Sequence, residues 1–479
     1  MPASRRRIQG CHAQPLRSRA CPGGLTIAWA AWTTYPACGP DRKLLKNIGA
    51  MPGTTSHEGI PSAPRRSLSY GRVVIILGSL VAIVTGILVL RSSTEMTLEV
   101  GTDRELRLAL ERATGGETIV LQPGRYGFHY LPKPYASRVT VRGVDRGSVQ
   151  VEGFSTVANA DATTAAANVL IRNMTISSPD SSRDAIRINR GAHNIVMEEL
   201  TIKGGHHCVN VNAYPYSGVT WAHDITVRDS DLSHSLSDVV QITGGRNVVF
   251  EHNFIHDPQD NPDDHVDGIQ VIGSEDLKIV GNFFTEPPAG TFGFNQAIIL
   301  GRADPYDRSL MVRKSYVANN LISGWRGSGI LLAGTEFTWV VNNTSMPYRD
   351  QSGFVTVDKN PSASGGTAEA WYNTDLKVWN NIFNKVSTDT KSDPVFASNN
   401  LITEGASGYG QYSLTGRARF VTTNPTRSER YKLKATSPAV DSGIATPDGM
   451  TPRTDLDGLS RRGLPDRGAR EYLTPHAGG

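Results

Sequence analysis

The chain has 479 residues, 38% of them hydrophobic and 20% charged, with Gly 48 and Pro 27. It is long enough to bury a large core, while its glycine and proline demand many turns and exclude an architecture of long helices. The net charge of +4 is uneven: residues 1–96 hold 12 Lys+Arg against 3 Asp+Glu and the remainder 37 against 42, so the basic balance belongs to the leader and indicates no nucleic-acid surface.

Residues 1–72 read as a disordered, basic, cytoplasmic leader. The first fifty are rich in Arg and Pro, lack sustained periodicity, and carry Cys11, Cys21 and Cys38 without a metal-like CxxC pair. Met51 is a second potential start. Residues 73–90, VVIILGSLVAIVTGILVL, are uncharged and bracketed by Arg65, Arg66 and Arg72 before and Arg91 after. At ~1.5 Å per residue they span ~27 Å, about one thin bilayer. No small-x-small cleavage site follows Leu90, so the run reads as a transmembrane signal anchor rather than a cleaved signal peptide. The basic flank keeps the N-terminus cytoplasmic and sends residues 97–479 outside. Only Cys208 lies in that outward domain, which therefore forms no internal disulfide.

Thr102 followed by Glu105 predicts a capped helix, with Leu106, Ala109, Leu110 and Ala113 on one face and Gly115–Gly116 as its stop. So short an amphipathic helix suits the open end of a stack of coils. GGETIVLQPGRY, residues 115–126, then reads as a buried strand closed by a Pro-Gly turn. At this phrase the chain resembles the pectate-lyase-like right-handed parallel β-helix proteins, in which a capping helix and a GD-TIVL-PG-Y phrase open the coil; Glu117 stands where Asp is usual. SPAVDSG (437–443) and DLDGLSRRG (455–463) resemble the closing phrases of that family. The resemblance runs from about Thr102 to Glu471. It implies an all-β fold over residues 97–479, a right-handed parallel β-helix of about 10 rungs with an N-terminal capping helix and a C-terminal cap.

Between Asn168 and Leu401 the sequence repeats itself. VVFEHNFI, LKIVGNFF, YVANNLIS, WVVNNTSM, KVWNNIFN and VFASNNLI align Asn253, Asn282, Asn320, Asn343, Asn381 and Asn400. At the corner of a coil a side-chain amide can bond both the turn and its twin one rung away, and Asn supplies no acid, base or nucleophile, so this column is a signature of the fold. A second column aligns Asp184, His207, Asp238, Asp267 and Gln296 at the starts of DAIRI, HCVNV, DVVQI, DGIQV and QAIIL. Strand alternation sends Ile186, Ile188, Val209, Val211, Val240, Ile242, Ile269 and Val271 inward. Arg187, Asn210, Gln241 and Gln270 then form an outward polar stripe fit to bind a linear substrate.

Three readings of the second column stay open. It can be structural, since Asp and His at coil starts accept backbone hydrogen bonds. It can be hydrolytic: Asp238 and Asp267 on adjacent coils would lie ~5–6 Å apart and split their pKa values, with His207 one rung before them. VDGI, SDVV and HHCV match polygalacturonase-type motifs by position, in reversed order. It can also serve β-elimination or C5 epimerisation of a uronate glycan, in which a cation neutralises the sugar carboxylate while a base removes the C5 proton. Arg187, Lys278, Arg302 and Arg308 are candidate neutralisers, and His207, His256, His265 and Tyr306 candidate proton carriers. GRADPYDRSLMV (301–312) resembles the DPHD phrase of mannuronan C5-epimerases, with Tyr306 in the place of its His.

No cofactor is demanded. Ca²⁺ is the one ion left open, with Asp263 and Asp264 of the acidic loop HDPQDNPDDHVDG (256–268) as candidate ligands. Tyr214, Tyr216, Trp221, Trp325 and Trp371 are candidate sugar platforms. The expectation is a membrane-anchored protein that binds and processes an envelope or extracellular polysaccharide, as a lyase or epimerase first and a hydrolase second. A non-catalytic glycan-binding or scaffold β-helix is the alternative.

Overall fold

The computed structural model describes residues 96–472 apart from 158–162, 213–219, 260–265, 286–295, 302–309, 324, 326–327, 348–353, 359–372, 389–395, 405–409 and 423–430. The leader 1–72 and the apolar run 73–90 lie outside the described residues. Among those described, no helix is long and apolar enough to cross a membrane.

The helix spans Asp103–Arg112. Thr102 Oγ1 accepts the N–H of Glu105 at 3.3 Å and Glu105 Oε2 accepts that of Thr102 at 3.0 Å, while Leu106, Ala109 and Leu110 bury against the first coils. The next strand, Thr118–Leu121, is buried throughout. Glu117 closes the turn between them: its carboxylate accepts the N–H groups of Thr114 (2.9 Å) and Gly115 (2.6 Å) and the Thr114 hydroxyl (2.9 Å). Burial pushes this carboxyl up, but these bonds outweigh it and hold the group below its ordinary value.

The strands form parallel ladders along three faces of a β-helix. Face A contains Ile186–Asn189, Val209–Asn212, the first halves of Val240–Glu251 and Ile269–Glu275, then Ile298–Gly301 and Ser328–Ala333. Face B contains His193–Glu198, Ala222–Arg228, the end of Val240–Glu251, Lys278–Val280, Tyr316–Ala318, Trp339–Val341 and Lys377–Trp379. Face C contains Thr201–Gly204, Asp231–Ser233, Phe254–His256, Phe283–Thr285, Leu321–Ser323 and Thr344–Met346. Each coil runs from A to B to C. Alternation sends one apolar row of each face to the axis: Ile188, Val211, Ile242 and Val271 from A, Met197, Val227, Phe250 and Ile279 from B, and Ile202, Leu232, Ile255 and Phe284 from C, all fully buried. All eight inward residues expected on face A lie in this core.

The corner from B to C is two residues long and explains the asparagine column. Its first residue is left-handed, with φ near +53° at His252, +66° at Gly281 and +55° at Asn319 and Asn342. Its second is the column Asn. Nδ2 of Asn253, Asn282, Asn320, Asn343 and Asn381 each donates at 3.0 Å to Oδ1 of the next Asn, ending on Asn400. The same oxygens accept the backbone N–H of the preceding Asn at 2.8–3.0 Å. Each Nδ2 also donates to a carbonyl of the preceding coil, such as Phe250 O from Asn282 and Ile279 O from Asn320. Groups that the sharp bend leaves unpaired are thus satisfied in a buried row.

A second left-handed row opens face B at Asn194, Asp224, Asn247, Asp276, Lys314, Phe337 and Asp375, with φ between +49° and +56°. Asn and Asp tolerate this conformation, whereas an aromatic side chain there costs ~1–2 kcal/mol. The C-terminal segment folds back along the B–C edge. Asn319 Nδ2 donates to Thr454 O (2.7 Å), Asn342 Nδ2 to Asp466 O (2.9 Å) and Asn380 Nδ2 to Ile444 O (2.7 Å). Cys208 is free and buried, and burial pushes its thiol up to about 12.

Candidate functional site

The connections from C to A deliver the second column to the edge of face A. Gly205, at φ +79°, packs so tightly that a Cβ would meet Ala185 N at 2.7 Å and Arg183 O at 2.9 Å, and this close turn sets His207 beside Asp184 on the neighbouring coil. Nδ1 of His207 lies 2.6 Å from Asp184 Oδ1. Asp184 Oδ2 accepts the Arg187 guanidinium at 3.0 Å and the Asn210 amide at 3.1 Å. Burial pushes the Asp184 carboxyl up, but the His207 hydrogen bond and the nearby His207, Arg187 and His206 charges outweigh it and leave the group below its ordinary value. An ionised Asp184 accepts the Nδ1 proton of His207, which leaves Nε2 as the acceptor when the imidazole is neutral. Among the described residues, Nε2 of His207 and Oδ1 of Asn210 are buried without a hydrogen-bond partner, as is Oε1 of Gln296. His206 packs edge-on against His207, 4.5 Å between ring centroids.

Asp238 and Asp267 do fall on adjacent coils, and both are closed off, at 2% and 0% exposure. Each is engaged in the turn ladder. Asp238 Oδ1 accepts the Asp267 N–H at 2.8 Å and Asp267 Oδ1 accepts the Gln296 N–H at 2.6 Å, while Gln241 and Gln270 approach the second oxygens at 3.5 and 3.4 Å.

The outward row of face A runs Tyr130, Ser155, Arg187, Asn210, Gln241, Gln270, Ile299 across successive coils. Arg187, with a side chain 43% exposed, Gln241 and Gln270 face outward as expected. Asn210 does not: it is buried because its amide turns back onto Asp184. Lys278 is the larger correction. It stands on face B, paired in register with Val249 and Tyr316, and cannot neutralise a substrate lying on face A. The cause is topological, because Lys278 follows the A-to-B corner that the sequence alone does not locate.

His265, Tyr306, Arg302, Arg308, Asp263 and Asp264 lie outside the described residues, as do Tyr214, Tyr216 and Trp371. Trp325 belongs to the core and Trp221 packs on Leu310 and Met311, so neither is an open platform. Among the described residues, no group of three His, Cys, Asp or Glu side chains is placed to hold a metal. Two residues escaped the sequence reading. Asp184 was legible only as a column member, although it organises His207 and Arg187. Tyr130, 60% exposed, shares the row of Arg187 two coils earlier, and only strand register could show it.

The fold and this row define a parallel β-helix with a largely polar, coil-spanning row on face A. Residues 134–303 match the family model of the right handed beta helix region. No curated protein matches the chain. Among solved structures, a pectate lyase shares 14% identity at a TM-score of 0.42, covering 80% of this chain and 97% of its own. The A-module of a mannuronan C-5 epimerase of Azotobacter vinelandii shares 12% at 0.38, covering 68% and 93%. A PL6 family alginate lyase shares 12% at 0.38, covering 79% and 59%.

Proposed function

We propose that the chain processes a uronate-containing polysaccharide on face A by β-elimination or C5 epimerisation. The observation that carries this reading is the Asp184–His207 pair beside Arg187, with Nε2 of His207 lacking a hydrogen-bond partner among the described residues, next to a row of aromatic, cationic and amide side chains. Rungs ~4.8 Å apart offer a linear polymer repeated contacts from Tyr130 through Gln270. In this mechanism Arg187 neutralises the sugar carboxylate, which acidifies the C5 proton, and Nε2 of His207 removes it while Asp184 stabilises the resulting imidazolium. The electron pair at C5 then expels the C4 oxygen, giving an unsaturated end, or takes a proton on the opposite face, giving the epimer. Tyr306 and His265 are proposed as the opposite-face donors. His207 is buried, so the turn that carries it has to open before the sugar meets Nε2. Hydrolysis by Asp238 and Asp267 is the weaker reading, since their oxygens already serve backbone and Gln donors and are closed to water. The proposal also places face A outside a membrane in which residues 73–90 anchor the chain.

The test is incubation of the purified protein with pectate, alginate and other uronate polymers, following absorbance of unsaturated ends, new reducing ends, and C5 configuration by NMR. His207→Asn should lower turnover by about 10²-fold or more with the fold retained, and Arg187→Ala comparably. Full turnover in His207→Asn, or reducing ends appearing without unsaturation, would sink the elimination reading. Recovery of the chain in an alkali-washed membrane fraction checks the anchor.

A further inference from the structure

Face B carries a feature that the face A chemistry does not use. On three successive coils Lys278, Tyr316 and Trp339 stand in one outward row, and with Phe337 and the returning segment at Met450 they bound a cavity of about 650 Å³. Its walls are held in place: the Tyr316 hydroxyl donates to Met450 O at 2.6 Å, and the Lys377 ammonium sits 4.2 Å over the Trp339 ring while pairing with Asp448 at 2.9 Å.

Phe337 is the anomaly. It occupies the left-handed row at φ +53°, where other coils place Asn194, Asp224, Asn247, Asp276, Lys314 and Asp375, and its ring is 54% exposed. Neither the turn nor the core asks for an aromatic ring there, since Asn or Asp would make the same bend at lower cost and a half-exposed ring gains little from burial. The ring is therefore available to something outside the chain. Beside it, Lys314 is neutralised by Glu275 at 2.7 Å, whereas Lys278 is exposed and makes no ion pair among the described residues. An aromatic plate, a free ammonium and the Asp276 carboxylate on one rim match a pyranose, which has an apolar C–H face and a polar edge.

We infer that this cavity is a second carbohydrate-binding site, on face B and apart from the face A row, for an acidic pyranoside. The sugar ring lies on Phe337, its carboxylate or sulfate meets Lys278, and its hydroxyls meet Asp276. The inference rests on the reading that the chain handles an acidic glycan, and it adds a site that grips the polymer without acting on it.

Calorimetric titration of the full protein with oligogalacturonate and with alginate oligomers tests it. Phe337→Asn, which suits the backbone, should melt at the same temperature or higher and bind about tenfold more weakly at one of two sites, with turnover on short oligomers unchanged. Lys278→Gln, an exposed change that cannot unfold the coil, should weaken acidic oligomers and leave neutral ones alone. Weaker binding by Phe337→Asn in a protein that turns over no glycan would refute the proposed activity and leave this site standing. Wild-type affinity in both variants, binding of none of the oligomers, or loss of a dimer rather than of glycan in Phe337→Asn would overturn it.

Discussion

Asp267 shows how one residue can be read as a catalyst and be required as a joint. Its Oδ1 accepts the buried N–H of Gln296, and its own N–H is taken by Asp238. Removing the acceptor leaves a buried donor unpaired, so Asp267→Ala should destabilise by about 1–3 kcal/mol. Asp267→Asn, which keeps an oxygen there, should cost much less. Urea melts of the two variants check this, and equal losses would mean that the carboxylate charge, rather than the acceptor, holds the turn. His207 differs from Asp267 in that one of its two ring nitrogens has no hydrogen-bond partner among the described residues.

At the scale of the element, the asparagine ladder is the strongest joint in the coil. Asn320 Oδ1 takes two hydrogens from Asn282, and its Nδ2 serves Ile279 O and Asn343 Oδ1. Asn320→Ala therefore orphans several groups in a site with no exposure, and a loss of about 3 kcal/mol or more is expected, read as a lower denaturation midpoint. Asn319→Ala, one residue away, removes an outward amide that holds the C-terminal segment at Thr454 and Arg461 and adds the ~1 kcal/mol cost of Ala at φ +55°. It should loosen that segment to proteolysis while the coil stays intact. Two adjacent asparagines thus have different duties, and the sequence VANNLIS does not distinguish them. Strand alternation does.

At the scale of the molecule, the N-terminal cap and the C-terminal segment along the B–C edge respond oppositely to acid. At the N-terminal end Glu117 is held below its ordinary value of 4.5, so the stability it contributes is present above that pH and lost as pH falls through the lower folded value. At the C-terminal end burial raises Asp466 and, despite its 2.7 Å pairing with Arg461, Glu471. Their contribution is fully present below the unfolded values of 3.8 and 4.5 and is lost as pH rises through the raised folded ones. Hydrogen exchange at pH 4 against pH 7 should show Thr118–Leu121 less protected in acid and residues 441–472 relatively more so. A parallel change at both ends would contradict this.

The chain by itself determined the architecture. A period written in Asn, in alternating β-branched residues and in a capped helix reflects local rules of bend, pleat and end that each coil obeys separately, and so the capping helix, the inward rows and the asparagine ladder were all legible. The candidate site was legible only in part. Column membership pointed to His207, Asp238 and Asp267, but which of them is spent on the backbone depends on hydrogen bonds between coils 23 to 29 residues apart. Only the tertiary structure decided that Lys278 faces away from Arg187, that Tyr130 shares its row, and that Phe337 stands exposed in a bend that other coils fill with Asn, Asp or Lys. Corner positions fix the face on which a side chain emerges, and corners are set by how the coils stack rather than by any short stretch of sequence.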